Sequence, residues 1–223
     1  MASPARLNQE ELAFLNRRFE TAPARHVVEW AVDTFHPRLC ITASMTDAVL
    51  IDIASRVRPG LEVVFLDTGY HFPETLDTAE LVRRRYPVQL RVIRPEPPTP
   101  EPLWRVDPVD CCSSLKIALL ERALADKDAW LTGLRRCESE TRADAPIVHL
   151  DGRGLVKVNP IAAWSDDDVE GYIADHDVPV NPLRHRGYRS IGCQPCTRPA
   201  PADADARAGR WAGLDKTECG IHL

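Results

Sequence analysis

The stretch Leu39-Cys40-Ile41-Thr42-Ala43-Ser44-Met45-Thr46-Asp47 decides the fold: a short apolar run turns polar and opens into helical spacing, and Val63-Val64-Phe65-Leu66-Asp67-Thr68-Gly69 repeats the design. Apolar runs of this length, unbroken by polar alternation, read as strands buried on both faces. Residues 47–57, between them, have the spacing of a helix. Farther on, Pro73 suits the first turn of a helix reaching about Tyr86, and Val88-Gln89-Leu90-Arg91-Val92-Ile93 reads as a third strand. Strand and helix alternate, which predicts an α/β protein with a parallel sheet that binds its ligand outside the carboxyl ends of the strands.

Upstream, Leu12, Leu15 and Phe19, then Val27, Val28, Ala31 and Val32, recur at helical spacing, so residues 1–36 are expected to form packing helices. The α/β body would occupy 37–178. Within it, prolines 95, 97, 98 and 100 exclude a helix locally, 112–125 is helical in pattern, and Ala129-Trp130-Leu131-Thr132-Gly133 reads as a strand. Asp151-Gly152-Arg153-Gly154 is a turn between two more short strands, and Ser165 with Asp168 marks a helix start. Residues 179–223, rich in Arg, Gly, Pro and Cys, are expected to be a segment of the same domain held by ligands more than by a core.

A chain of 223 residues can bury one continuous core. Its net charge of −5 argues against nucleic acid or an acidic membrane as partner, without excluding a local basic pocket. No apolar run approaches the ~18 residues of a membrane span, and the first residues lack the apolar core of a signal peptide, so a cytoplasmic location is expected. The seven cysteines are an odd number, which in a reducing compartment points to metal or thiol chemistry rather than a disulfide framework.

Cys111-Cys112 and Cys193-Gln194-Pro195-Cys196 together supply four thiolates, enough for a tetrahedral zinc or a [4Fe–4S] cluster. Residue type alone favours zinc. The adjacent pair favours a cluster, whose separate corner irons suit vicinal ligands better than one small ion does. A redox dithiol or inert buried cysteines are the plainer alternatives, and Cys40, set in an apolar strand, reads as core. Cys219, near the end in Lys216-Thr217-Glu218-Cys219-Gly220-Ile221-His222-Leu223, stands apart as a solitary thiol. It has either no function, as many chain ends do, or the reach to act as a nucleophile.

The loop Thr42 to Asp47, running into a helix, offers backbone N–H groups and the hydroxyls of Ser44 and Thr46 to an anion; a plain N-cap is the simpler alternative. Arginines gather in the later half, and planar guanidinium forks match phosphate or sulfate, although a solvated basic face would look the same.

Three motifs together carry a resemblance: Cys111-Cys112 with Lys116; Tyr188-Arg189-Ser190-Ile191-Gly192-Cys193-Gln194-Pro195-Cys196-Thr197-Arg198-Pro199; and Arg207-Ala208-Gly209-Arg210-Trp211 ahead of the tail around Cys219. They resemble the phosphosulfate reductases, in the iron–sulfur branch of assimilatory adenylyl-sulfate reductases, from about Thr42 to the last residue. The resemblance implies a Rossmann-like sheet of the adenine nucleotide alpha hydrolase-like type and reduction of adenosine 5'-phosphosulfate to sulfite and AMP. It implies a [4Fe–4S] cluster on Cys111, Cys112, Cys193 and Cys196, reversing the preference for zinc. It makes Cys219 the nucleophile, S-sulfonated and then released by thioredoxin. It also assigns the adenosine part to Ser44, Leu66 and Gly69, and the phosphosulfate to Lys116, Arg136, Arg207 and Arg210. The sequence departs from the family where its nucleotide loop lacks glycine and where Asp203-Ala204-Asp205-Ala206 replaces an expected Gly-Glu-Asp pattern. The nearest rival is a reductase of the 3'-phosphorylated substrate, whose cluster-free branch lacks the paired cysteines. A rival of another class is a non-catalytic, zinc-stabilised nucleotide-binding module. A homo-oligomer is left open.

Overall fold

The structure is a computed structural model that describes residues 7–96, 103–107, 110–201, 204–211, 216, 218 and 221. In chain order the elements are α1 (Gln9–Phe19), α2 (Ala24–Phe35), β1 (Leu39–Thr42), α3 (Val49–Val57), β2 (Glu62–Leu66), α4 (Pro73–Arg85) and β3 (Gln89–Ile93). There follow a one-turn helix α5 (Leu103–Val106), a π-turn (Cys111–Leu115) running into α6 (Lys116–Leu124), β4 (Ala129–Thr132), β5 (Val148–Leu150), β6 (Val156–Val158) and α7 (Asp166–His176).

The strands form one six-stranded sheet in the order β3-β2-β1-β4-β6-β5. All neighbours are parallel except β5, which pairs antiparallel with β6 as the turn at 151–154 predicts. The chain winds outward from β1 to β3 and then returns to place β4 on the other side. The crevice between the carboxyl ends of β1 and β4 is therefore a switch point, the place where open α/β sheets bind ligands.

The period-two side-chain alternation of strands separates two cores. Leu39 and Ile41, Val63 and Phe65, and Ala129 and Leu131 face α1 to α4 and α7. Cys40, Val64, Leu66 and Trp130 face the opposite way, onto Leu119, Leu120, Ala123 and Leu124 of α6. The first helix also guards the sheet edge: Asn16 accepts from the backbone N–H of Ile147 and Val148 and donates to Val148 O at 2.7 Å, occupying groups that an unprotected edge would offer to another chain.

Two starts differ from the sequence expectation. Helix α3 begins at Val49, because Asp47 takes the Val49 N–H with its carboxylate and the residues before it hold a loop. The helix expected from Cys112 opens as a π-turn before becoming α-helical at Lys116, an arrangement rare in helices and frequent at functional sites.

Candidate active site

A cavity of about 190 Å³ opens at the switch point, walled by Thr42, Ser44, Thr46 and Asp47 after β1, Leu66 and His71 after β2, and Thr132 and Leu134 after β4. The loop after β1 manages without glycine although Met45 adopts a left-handed φ of 61°. Buried Asn181 pays for that conformation: its Nδ2 donates to Met45 O and Thr75 Oγ1, its backbone N–H donates to Thr46 O, and its Oδ1 accepts from Leu183 N. Ser44 and Thr46 hydroxyls lie 3.2 Å apart at the mouth. Of the residues expected around the adenosine, Ser44 and Leu66 line the cavity. Gly69 does not; at φ 80° it closes an Asx turn on Asp67 instead.

His71, which the sequence did not single out, stands on the same wall. Its Nε2 is 3.0 Å from Leu66 O, and a carbonyl can only accept, so this nitrogen carries the proton. Burial lowers the ring's pKa, the Leu66 bond partly opposes that, and the Lys116 charge lowers it further. Its Nδ1 is buried and has no hydrogen-bond partner among the described residues.

The cations around the cavity fall into two groups. Lys116 and Arg210 make no ion pair among the described residues, and Arg210 lies over the Trp211 ring at 4.5 Å with its Nε lacking a hydrogen-bond partner. Gly192 leaves room for this guanidinium; a Cβ there would force it to shift. The others are held by carboxylates. Arg135 pairs with Asp166, Arg184 with Glu170, and Arg142 and Arg207 both with Glu218. Arg136 does not line the cavity: its side chain bonds to Glu20 at 2.5 Å and to Ala145 O at 2.8 Å. Its neighbours in space take that wall, Arg135 and, from the next 3-10 turn, Arg142.

Beside Lys116 the two cysteine pairs converge. Cys111 and Cys112 open the π-turn, Cys193 precedes a 3-10 turn and Cys196 ends it. That turn is fastened on both sides, by Gln194 N to Tyr70 O at 2.8 Å and by Trp211 N to Cys196 O at 2.9 Å, while Thr197 Oγ1 closes it onto Cys193 O. Gly209 allows the second fastening, since a Cβ would strike the Arg198 carbonyl. Two hydrogen bonds reach sulfur: Trp211 Nε1 donates to Cys112 Sγ, 3.3 Å away, and Thr68 Oγ1 lies 3.2 Å from Cys193 Sγ, where either atom can donate. Burial, followed by the neighbouring Cys112, Cys193 and Cys196, pushes the Cys111 thiol up to about 12. Burial and the charges of Cys112 and Cys193 likewise raise Cys196, against Arg210 and Arg198.

These four sulfurs thus share one electrostatic neighbourhood, although among the described residues no three His, Cys, Asp or Glu side chains stand in metal-holding geometry. As a donor set they fit a cluster: four thiols, largely buried, with hydrogen bonds aimed at two of the sulfurs.

Cys219 lies outside the described residues, as do Thr217, Gly220 and His222. Two tail residues are seated at the site. Glu218 is buried, and Ile221 packs with Trp211 and Cys112 while lining the cavity. Sequence reasoning missed Arg142, whose only clue was membership of a general arginine excess, and gave no role of its own to Glu218, beside the tail cysteine.

Residues 38–199 match the phosphoadenosine phosphosulfate reductase domain. A Streptomyces coelicolor protein named adenosine 5'-phosphosulfate reductase is 50% identical over 214 residues, covering 92% of this chain and 91% of the relative. A Mycolicibacterium smegmatis protein of the same name is 46% identical, covering 91% and 89%. Among solved structures, the phosphoadenylyl-sulfate reductase of Candida auris in its phosphate complex superposes with a TM-score of 0.77 at 30% identity, covering 88% of this chain and all of that one. The FMN adenylyltransferase of Candida glabrata, at 13% identity and a TM-score of 0.61, shares the fold. The chain belongs to the phosphoadenosine phosphosulfate reductase family.

Proposed function

We propose that this protein reduces adenosine 5'-phosphosulfate to sulfite and AMP. The observation that carries this is a pair of cations, Lys116 and Arg210, which make no ion pair among the described residues, line a cavity at the switch point and adjoin four clustered thiols. The substrate presents two adjacent anionic groups, a phosphate and a sulfate, and these two cations match them. Relatives named for that substrate, at 44–50% identity, support the choice.

In the first step the Cys219 thiolate attacks the sulfur of the substrate. A bond forms between the two sulfurs, the sulfur–oxygen bond to phosphate breaks with its electron pair going to AMP, and the cysteine is left as an S-sulfonate. Lys116 and Arg210 act by holding the phosphosulfate and by offsetting the charge that develops on the departing phosphate oxygen. Ser44, Thr46 and the backbone after β1 receive the nucleoside end, with His71 Nδ1 as acceptor for a hydroxyl or amino hydrogen. In the second step an external dithiol of the thioredoxin kind displaces sulfite, restores the Cys219 thiol and is itself oxidised to a disulfide.

Cys111, Cys112, Cys193 and Cys196 would hold a [4Fe–4S] cluster, which when bound supplies an electrostatic influence on the adjoining anion site without a required change of iron oxidation state. Thiols bind metal as thiolates, so metal loading and loss of the thiol protons go together here. The described residues contain no helix long and apolar enough to cross a membrane. A dithiol-dependent reaction with reduced cysteines suits the cytoplasm.

An anaerobic assay of sulfite release tests the reading, run with each substrate, with and without the 3'-phosphate, on protein whose iron and zinc have been measured. Adenosine 5'-phosphosulfate should be turned over in preference by iron-loaded protein. Preference for the 3'-phosphorylated compound would make this a reductase of that substrate, and binding of nucleotide with zinc and no sulfite would remove the enzymatic reading.

A further inference from the structure

The carboxylate of Glu218 is buried against four donors: Arg142 Nε at 2.6 Å, Arg142 Nη2 at 2.9 Å, Arg207 Nη2 at 2.9 Å and Thr141 Oγ1 at 3.3 Å. Arg142 and Thr141 come from the turns after β4, more than seventy positions earlier in the chain. Arg142 is itself 7% exposed and is completed by Glu138, and Arg207 also lies over the Trp211 ring. Three positions on, Ile221 is buried in the core that contains Trp211 and Cys112. The tail thus has a polar seat and an apolar seat, one on each side of position 219 in sequence.

We propose that Glu218 is a positioning residue: with Arg142 and Arg207 as its dock, it fixes the chain next to Cys219 and so aids the attack. The proposal rests on Cys219 being the nucleophile. Successive Cα atoms are ~3.8 Å apart, so an anchor at 218 sets the reach of the residue that follows it. The division of cations supports a dock rather than a substrate clamp. Two anionic groups of the substrate are matched by Lys116 and Arg210, which leaves the Arg142–Glu218–Arg207 triad intact when substrate enters. Arg207 then serves the tail and Arg210 the substrate, although both belong to one five-residue motif.

The experiment uses anaerobically purified, cluster-loaded full chain. Single-turnover S-sulfonation by adenosine 5'-phosphosulfate without reductant is followed by quenched intact mass, and substrate affinity is measured by equilibrium binding in the Cys219→Ser background. Glu218→Gln keeps the shape and removes the charge; it should slow S-sulfonation by about 10²-fold, the scale on which small misplacements of reacting groups cost rate. Its substrate Kd should stay within about threefold, and Glu218→Asp should recover part of the lost rate. Rate within about threefold of the unaltered protein would overturn the proposal. So would a Kd tightened about tenfold or more, which would make Glu218 a resident anion that substrate displaces. A loss shared equally by rate and affinity, with no recovery in Glu218→Asp, would mark the triad as merely structural. Should Glu218→Gln not fold, Arg207→Gln carries the test with the same expected split, against Arg210→Gln, which should lose affinity. Failure of the nucleophile assignment is distinguishable, because then the unaltered chain itself would carry no adduct on its tail peptide.

Discussion

Arg135 and Arg136 sit side by side in sequence and turn opposite ways in the structure. The sequence places an arginine pair near the site but not the direction of each side chain, because that depends on a 3-10 turn that no periodicity announces. The outcome is testable: Arg136→Ala should leave substrate affinity within about threefold, whereas Arg210→Ala, removing charge-assisted bonds worth about 1.5–3 kcal/mol, should weaken it by roughly 10–10². Equilibrium binding of adenosine 5'-phosphosulfate to the two variants decides between them, and a large loss in Arg136→Ala would contradict the structure. Far from the site, His149 on β5 is held neutral: burial, then the Lys157 charge, lowers its pKa to about 4, against Asp151. The unfolded chain binds a proton there near the ordinary 6.5 and the folded chain does not, so stability is lost as pH falls from about 6.5 towards 4, by an amount of order 1–3 kcal/mol. Urea midpoints at pH 7 and pH 5 should fall less in His149→Leu than in the parent; an equal fall would remove His149 as the cause.

At the scale of elements, most of the fold was legible. The unbroken apolar runs at 39–42 and 63–66 gave strands because both faces are buried, and Ser165 with Asp168 forms a reciprocal capping box at the start of α7. The π-turn at Cys111–Leu115 was not legible, since local spacing there fits an ordinary helix and the deviation belongs to the tertiary demand of bringing two cysteines to one place. Nor was the glycine-free loop after β1, which relies on Asn181, 136 positions from Met45. Removing that support should matter in two ways. Asn181→Ala should cost about 1–3 kcal/mol for the buried partners left unsatisfied and also weaken substrate binding. Ser165→Ala should cost about 1 kcal/mol through the lost cap and leave binding unchanged. Denaturant midpoints and substrate Kd measured on both variants check this, and a binding defect in Ser165→Ala would show that α7 does more than pack.

At the scale of the molecule, alternating strands and helices predicted the parallel sheet, and the strand order places the switch point where Lys116, Arg210, the cysteine pairs and the tail meet. Sequence alone brought these together only as a list; β1 and β4 are ninety positions apart and become neighbours through the topology. The molecule as a whole is acidic, yet its cavity is cationic because nearly every other arginine around it is matched by a carboxylate. Local compensation therefore defines the site better than net charge does. The central claim is that this site transfers a sulfonate group to the tail. Incubating anaerobic, cluster-loaded protein with adenosine 5'-phosphosulfate in the absence of any reductant, and mapping the product by peptide mass spectrometry, tests it directly. The account predicts one added SO3 on the peptide bearing Cys219, with release of AMP and no adduct in Cys219→Ser. An adduct on a different cysteine, or sulfite released at the parental rate by Cys219→Ser, would contradict it.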